Sequence, residues 1–227
     1  MSDILQIRPI ARIHSDLPEK FGIPRQSGLV PSLSASVVFE PAFADADAVR
    51  GLENFSHIWL IWEFSGAGES RKLTVRPPRL GGNERVGVFA TRSPFRPNPL
   101  GLSCVRLTKI EYDPEKGPVL RVAGADLMDG TPIYDIKPYL PYADCISDAW
   151  GSLPEADTRR LQVNFPEELA GKLPEEKRQA ALGILEQDPR PAYHDDPERI
   201  YGVSFAGHNI RFRVKNDVLT VTEVDCL

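Results

Sequence analysis

The sequence predicts a mainly β protein: a small antiparallel β-barrel over residues 1–147, followed by a small α+β unit over residues 148–227. Three observations predict it. Between Ile4 and Lys137, short runs of β-branched and aromatic residues recur between turn signals, with few helical windows, a pattern that removes its own sheet edges by closing on itself. The most apolar segment, Phe55-Ser56-His57-Ile58-Trp59-Leu60-Ile61-Trp62-Glu63-Phe64, has the length and composition of a strand. Beyond Asp144, polar stretches rich in helix formers lead into three more short strands, so a second unit begins there.

Ile4 to Ile13 carries branched apolar residues around Pro9 and fits a first or edge strand. Phe21 to Gly28 is a loop, with Pro24 holding Arg25 and Gln26 extended. Ser34 to Phe39 alternates as a strand, and Ala42 to Leu52 fits a short helix that stops near Gly51. The run from Phe55 to Phe64 reads as a strand buried on both faces, with His57 a hydrogen-bonded core residue rather than a catalyst. Ser65-Gly66-Ala67-Gly68 ends that strand; without a third glycine or a flanking strand and helix of the dinucleotide-binding kind, it does not indicate a Rossmann site.

Val86 to Ala90 and Leu102 to Tyr112 are strands on either side of Thr91-Arg92-Ser93-Pro94-Phe95-Arg96-Pro97-Asn98-Pro99-Leu100-Gly101, where three prolines forbid a helix. A stiff loop that presents two guanidiniums, two hydroxyls and an amide either binds a polar or anionic ligand at small ordering cost or is a solvated connector. Val119 to Ala125 follows a turn, and Asp129-Gly130 turns the chain into an extended Ile133 to Lys137. There Asp135 and Lys137 share one face, as an ion pair or as part of a site. In the second unit, Glu175 to Leu185 is one amphipathic helix. The strands are Ile200 to Phe205, Ile210 to Val214 and Val218 to Val224; Ile210, Phe212 and Val214 alternate with Arg211, Arg213 and Lys215, giving one core face and one basic face.

With 227 residues, 41% of them hydrophobic, the chain can bury a substantial core. Its N-terminus has no apolar run of signal-peptide length and no stretch approaches a membrane span, so a cytoplasmic protein is expected. Cys104, Cys145 and Cys226 are odd in number and far apart, which supports neither a disulfide framework nor a metal site. A formal charge of −5 argues against a general nucleic-acid coat, yet Arg71, Lys72, Arg76, Arg79, Arg85, Arg92 and Arg96 make one segment locally basic.

The motifs RPPRLGGN, ATRSPFRPNPLGLS and DGTPIYDIKPYLPYAD, in that order, resemble the TsaA-like (TrmO) family of S-adenosylmethionine-dependent tRNA methyltransferases, and QDPRPAY at Gln187 to Tyr193 is similar to its C-terminal extension. The resemblance implies a cofactor-binding barrel, usually dimeric, that methylates the exocyclic N6 amine of the threonylcarbamoyl-modified adenosine next to the anticodon. It further implies that Pro24, Arg25, Gln26, Ser65, Gly66, Arg92 and Leu102, with Asp126, Leu127, Met128, Asp129 and Gly130, line the cofactor site. Ser65-Gly66 stand where many relatives have His-Gln, which leaves mainly backbone contacts there.

Methyl transfer from a sulfonium asks chiefly for positioning and for an acceptor on the amine. Asn98, between Pro97 and Pro99, has a suitable carbonyl; Asp135, Tyr139, Asp126 and Asp129 are rivals. Arg96, Arg190, Tyr193, Arg211 and Arg213 are the candidate RNA contacts. No GxSxG elbow, HExxH or Walker loop supports a hydrolase or nucleotidase. The alternative is a non-catalytic barrel that binds RNA or senses the cofactor.

Overall fold

The computed structural model describes residues 5–66, 72–76, 85–151, 160–190 and 196–227. Its first unit contains β1 (Ala11–Ser15), β2 (Ser34–Phe39), β3 (His57–Glu63), β4 (Thr74–Val75), β5 (Val86–Gly87), β6 (Leu100–Asp113), β7 (Gly117–Ala123) and β8 (Pro132–Pro138). Six of these close into an antiparallel barrel in the order β1-β2-β7-β6-β3-β8, with β8 pairing back to β1, while β4 and β5 form a separate ladder. Every second residue of a strand faces inward, so Ile13, Val37, Ile58, Leu60, Leu120 and Ile133 meet in a core that excludes water.

The second unit follows the four-residue helix α1 (Pro141–Asp144) and comprises β9 (Gln162–Asn164), α2 (Glu167–Ala170), α3 (Glu175–Glu186), β10 (Tyr201–Phe205), β11 (His208–Lys215) and β12 (Val218–Cys226). Its sheet runs β10-β11-β12-β9, with β9 parallel to β12. The alternation in β11 buries Ile210, Phe212 and Val214 and exposes Arg211, Arg213 and Lys215. Ala180, Ala181, Ile184 and Leu185 of α3 share this second core. Leu17, Val30 and Leu33, from the segment between β1 and β2, are buried in the same cluster, with Phe21 and Ile23 packed against it. A half-buried ion pair, Lys177 Nζ to Asp16 Oδ2 at 2.5 Å, ties α3 to that segment.

Four expectations need correction. The first strand begins at Ala11, not Ile4: Pro9 lacks a donor, and the residue at position 4 lies outside the described residues. Ala42 to Leu52 is not one helix but three short 3-10 turns, Pro41–Phe43, Ala46–Val49 and Leu52–Asn54. The Asp45 carboxylate accepts the Asp47 amide at 2.8 Å, Gly51 takes φ +89°, and of these turns only Val49 is buried, so no apolar face holds a continuous helix. β3 is not buried on both faces; Ile58, Leu60 and Trp62 are buried and the residues between them half-buried, as in a one-sided antiparallel wall. Val86 to Ala90 stays extended for two residues and then tightens into a 3-10 turn at Val88–Ala90, where Thr91 Oγ1 donates to Val88 O at 2.9 Å.

Candidate active site

A cavity of about 910 Å³ opens at the barrel end where β3 finishes and β6 and β8 begin. A β-bulge between β3 and β8 falls at Ile61/Trp62, the same end, where such irregularities re-aim side chains. The cavity is walled by the loop around Pro24, the end of β3, the proline loop and the segment after β7.

The proline loop is held from both sides. Phe64 N donates to Pro99 O at 2.8 Å, anchoring the loop to the end of β3, while Ser93 N donates to Thr91 Oγ1 at 3.2 Å and Arg96 Nη1 to Thr91 O at 3.2 Å. Across the cavity, Arg92 Nη1 donates to Gln26 Oε1, and Lys20 Nζ to Gly66 O. Phe89 and Phe95 line the same space and are largely exposed.

Behind the wall, Trp62 Nε1 donates to Ser103 Oγ at 2.9 Å, and Ser103 Oγ donates to Asp126 Oδ1 at 2.6 Å. Burial pushes the Asp126 carboxyl above its ordinary pKa, opposed by the hydrogen bond from Ser103 and by the Arg92 charge. Glu63 also lines the cavity and accepts the Tyr134 hydroxyl; burial and that carboxylate push Tyr134 up to about 12.

Of the residues singled out in the sequence, Pro24, Arg25, Gln26, Ser65, Gly66, Arg92, Leu102, Asp126 and Met128 line this cavity, as do Asn98 and Arg96. Leu127 is buried in the barrel core, and Asp129 and Gly130 turn away toward β1, where Ser15 N donates to Asp129 Oδ1 at 3.1 Å and Arg12 Nη1 to Gly130 O at 3.1 Å. Asp135 and Tyr139 also stand outside the lining. Asp135 pairs with Lys137 at 2.9 Å on the barrel surface, and the Tyr139 ring packs on Trp59 at 5.8 Å between centroids. His57 is half-buried, its Nδ1 2.9 Å from Ser56 Oγ.

On the second unit, Arg190 forms a two-pronged pair with Asp188, both contacts 2.8 Å, and Arg211 pairs with Glu223 at 2.5 Å. Arg213 is exposed, and Tyr193 lies outside the described residues. Residues 187–190 share a cleft of about 150 Å³ with Lys20 to Arg25, beside the main cavity. Sequence reasoning missed Lys20, Glu63, Phe89, Phe95, Trp62 and Ser103. For the last two a signal existed: Gly101 and Ser103, two small inward residues in succession on β6, leave room for a bulky neighbour on β3.

Fold and site together define a small-barrel ligand-binding protein, with a basic and aromatic cavity, that does not use a doubly wound nucleotide sheet. Residues 12–145 match the model of the tRNA-methyltransferase O N-terminal domain, and residues 158–226 match that of the TrmO C-terminal domain. The chain belongs to the TrmO family. It is 44% identical over 219 residues to the tRNA (adenine(37)-N6)-methyltransferase of Escherichia coli K12, covering 92% of this chain and 93% of the relative. An enzyme of the same name from Eikenella corrodens is 46% identical over 75% of this chain and 97% of its own. The crystal structure of TrmO from Pseudomonas aeruginosa superposes with a TM-score of 0.80 at 33% identity, covering 98% of this chain and 99% of that one.

Proposed function

We propose that this chain is an S-adenosylmethionine-dependent tRNA methyltransferase that acts on the N6 amine of adenosine 37, and that its substrate is the threonylcarbamoyl-modified form of that base, next to the anticodon. The observation that carries this reading is the convergence of Pro24-Arg25-Gln26, Ser65-Gly66, Arg92, Asp126 and Met128, distant in sequence, on one cavity that also holds Asn98. A volume near 910 Å³, with apolar walls and a few directed polar groups, suits a ligand of nucleoside size. The division into a catalytic barrel, residues 1–147, and a tRNA-binding unit, residues 148–227, is part of the same reading.

S-adenosylmethionine supplies a methyl group on a sulfonium centre whose leaving group is a neutral thioether. The chain's own task is therefore to position the amine and to hold charge. The Asp126 carboxylate lines the cavity as the counterpart of a cationic or hydroxyl-bearing ligand, and Arg92, bonded to Gln26, stands in the same lining. Asn98 offers its side-chain carbonyl to one N–H of the adenine amine, which frees the nitrogen lone pair from the ring. The threonylcarbamoyl group carries a carboxylate, and Lys20, Arg25 and Arg96 in the lining supply positive charge for it. Arg211 and Arg213 on β11 lie on a face suited to backbone phosphates. Arg190, already committed to Asp188, serves the fold of its own segment.

The test is incubation with methyl-labelled S-adenosylmethionine and tRNA from cells able and unable to make the threonylcarbamoyl group, followed by nucleoside mass analysis. Label on the modified adenosine from the first pool alone supports the reading. Label in both pools removes the requirement for prior modification, and cofactor binding without label in either favours a sensing module. Arg92→Ala is expected to weaken cofactor binding about ten-fold, roughly 1.4 kcal/mol, in a calorimetric titration. The reading also includes the cytoplasm as the site of action and a homodimer in which a neighbour completes the open side of the cavity. Sizing that finds only monomer at working concentrations removes the dimer.

A further inference from the structure

We propose that Ser103 is a positioning residue of the methyl-transfer site: its buried hydroxyl fixes the Asp126 carboxylate against the cavity and holds Trp62 as the wall beside it. This rests on the reading of the cavity as the cofactor site.

Ser103 is 0% exposed, one of only two polar side chains in the buried set among the described residues. It does not line the cavity, yet both of its partners do. The direction of the relay follows from chemistry. An indole N–H can only donate, so Ser103 Oγ must accept from Trp62, and the one hydroxyl proton is left for Asp126 Oδ1 at 2.6 Å. The carboxyl therefore has to accept, which favours its ionised form against the burial that disfavours it. The Ser27 and Asp126 backbone amides and the Arg92 guanidinium act on Asp126 in the same sense, and the other charged groups in the lining are Lys20, Arg25, Glu63 and Arg96.

Strand register builds the relay. Trp62 lies opposite Gly101 and Leu60 opposite Ser103 across β3 and β6, so the serine sits one inward step beyond the glycine that receives the indole. Nothing in the backbone pairing of a barrel requires a hydroxyl at that step. Alanine removes both bonds, the one that orients Asp126 and the one that accepts the Trp62 indole N–H.

The experiment is titration of S-adenosylmethionine, by calorimetry, into wild type, Ser103→Ala, Ser103→Thr, Ser103→Cys and Asp126→Asn from about pH 5 to 8.5. Losing the Ser103 bond raises the Asp126 pKa, so the ionised, binding form appears only at higher pH. Ser103→Ala is expected to bind about ten-fold more weakly at the acidic end of that range, with the gap to wild type narrowing as pH rises. Ser103→Thr keeps the hydroxyl and the wild-type profile. Ser103→Cys, close in size but a poor donor, moves the profile in the direction of alanine and carries the test if the alanine variant fails to fold. Asp126→Asn binds weakly at every pH.

Wild-type affinity and profile in both Ser103→Ala and Ser103→Cys, with Asp126→Asn weak, overturns the role of Ser103 and leaves the cavity reading intact. A loss that is equal at every pH and tracks a lowered melting temperature assigns Ser103 to stability alone and also overturns it. Wild-type affinity in Asp126→Asn removes the cavity reading and the inference with it.

Discussion

Gly101→Ala is expected to lower the melting temperature and weaken cofactor binding together. A Cβ at Gly101 would stand 2.3 Å from Cε2 and 2.5 Å from Cζ2 of Trp62, far inside van der Waals contact. The indole cannot step aside cheaply. It is 7% exposed, its N–H is committed to Ser103, and its ring packs on Phe64 with centroids 4.3 Å apart. Overpacking of a filled interior costs about 1–3 kcal/mol, or roughly 2–12 °C in a chain of this size. Because Gly101 and Trp62 both line the cavity, relief of the clash displaces the wall itself. Thermal unfolding and cofactor titration on the same variant check this; a fall in melting temperature with unchanged affinity would detach the wall from the ligand.

Asn98→Ala is expected to reduce kcat about 100-fold, near 2.7 kcal/mol of transition-state stabilisation, with cofactor affinity within about two-fold of wild type. The side chain is exposed in the lining and makes no hydrogen bond among the described residues, so its removal leaves no orphaned partner. Pro97 and Pro99 on either side restrict the backbone that carries it, and Leu100 N donates to Asn98 O at 2.7 Å. The effect therefore belongs to the carboxamide and not to the loop. Single-turnover rates at saturating cofactor and tRNA measure it. A rate within a factor of about three of wild type would return the acceptor role to another group, with Asp126 the first to examine.

The barrel was legible because period-two alternation and turn residues are local signals. β2 and β11 fall where alternation places them, the strand cores of β3, β7, β8, β10 and β12 where runs of β-formers between turn residues do, and α3 where its apolar stripe does. β9 was not legible: three residues, Gln162–Asn164, gain their strand character only from pairing with Val218–Thr220 of β12. The composition of Ala42 to Leu52 is helical on average, but helicity needs a surface to bury, and that surface is a tertiary fact. The site divides in the same way. Arg92, Asn98 and Pro24 to Gln26 stood out because proline and glycine fix their backbones. Trp62, Lys20 and Glu63 came to the cavity, and Ser103 to its place behind Trp62, through strand register and long-range packing, to which small residues at Gly101 and Ser103 give only an indirect clue.

The shared second core has a consequence for how the protein comes into being on the ribosome. Leu17, Val30 and Leu33 flank the loop that carries Pro24 to Gln26, and they are buried by Phe205, Phe212, Leu219 and Val224, which are translated last. The barrel can pair all six of its strands once Pro138 has emerged, yet the segment with the first of the cavity's motifs still has no apolar surface to settle on. Nascent chains fold from the N-terminus as sequence becomes available. Here the first loop made must wait for the C-terminal sheet, so a chain stopped short of β12 carries every cavity residue and leaves the core beside Pro24 to Gln26 without Leu219, Val221 and Val224.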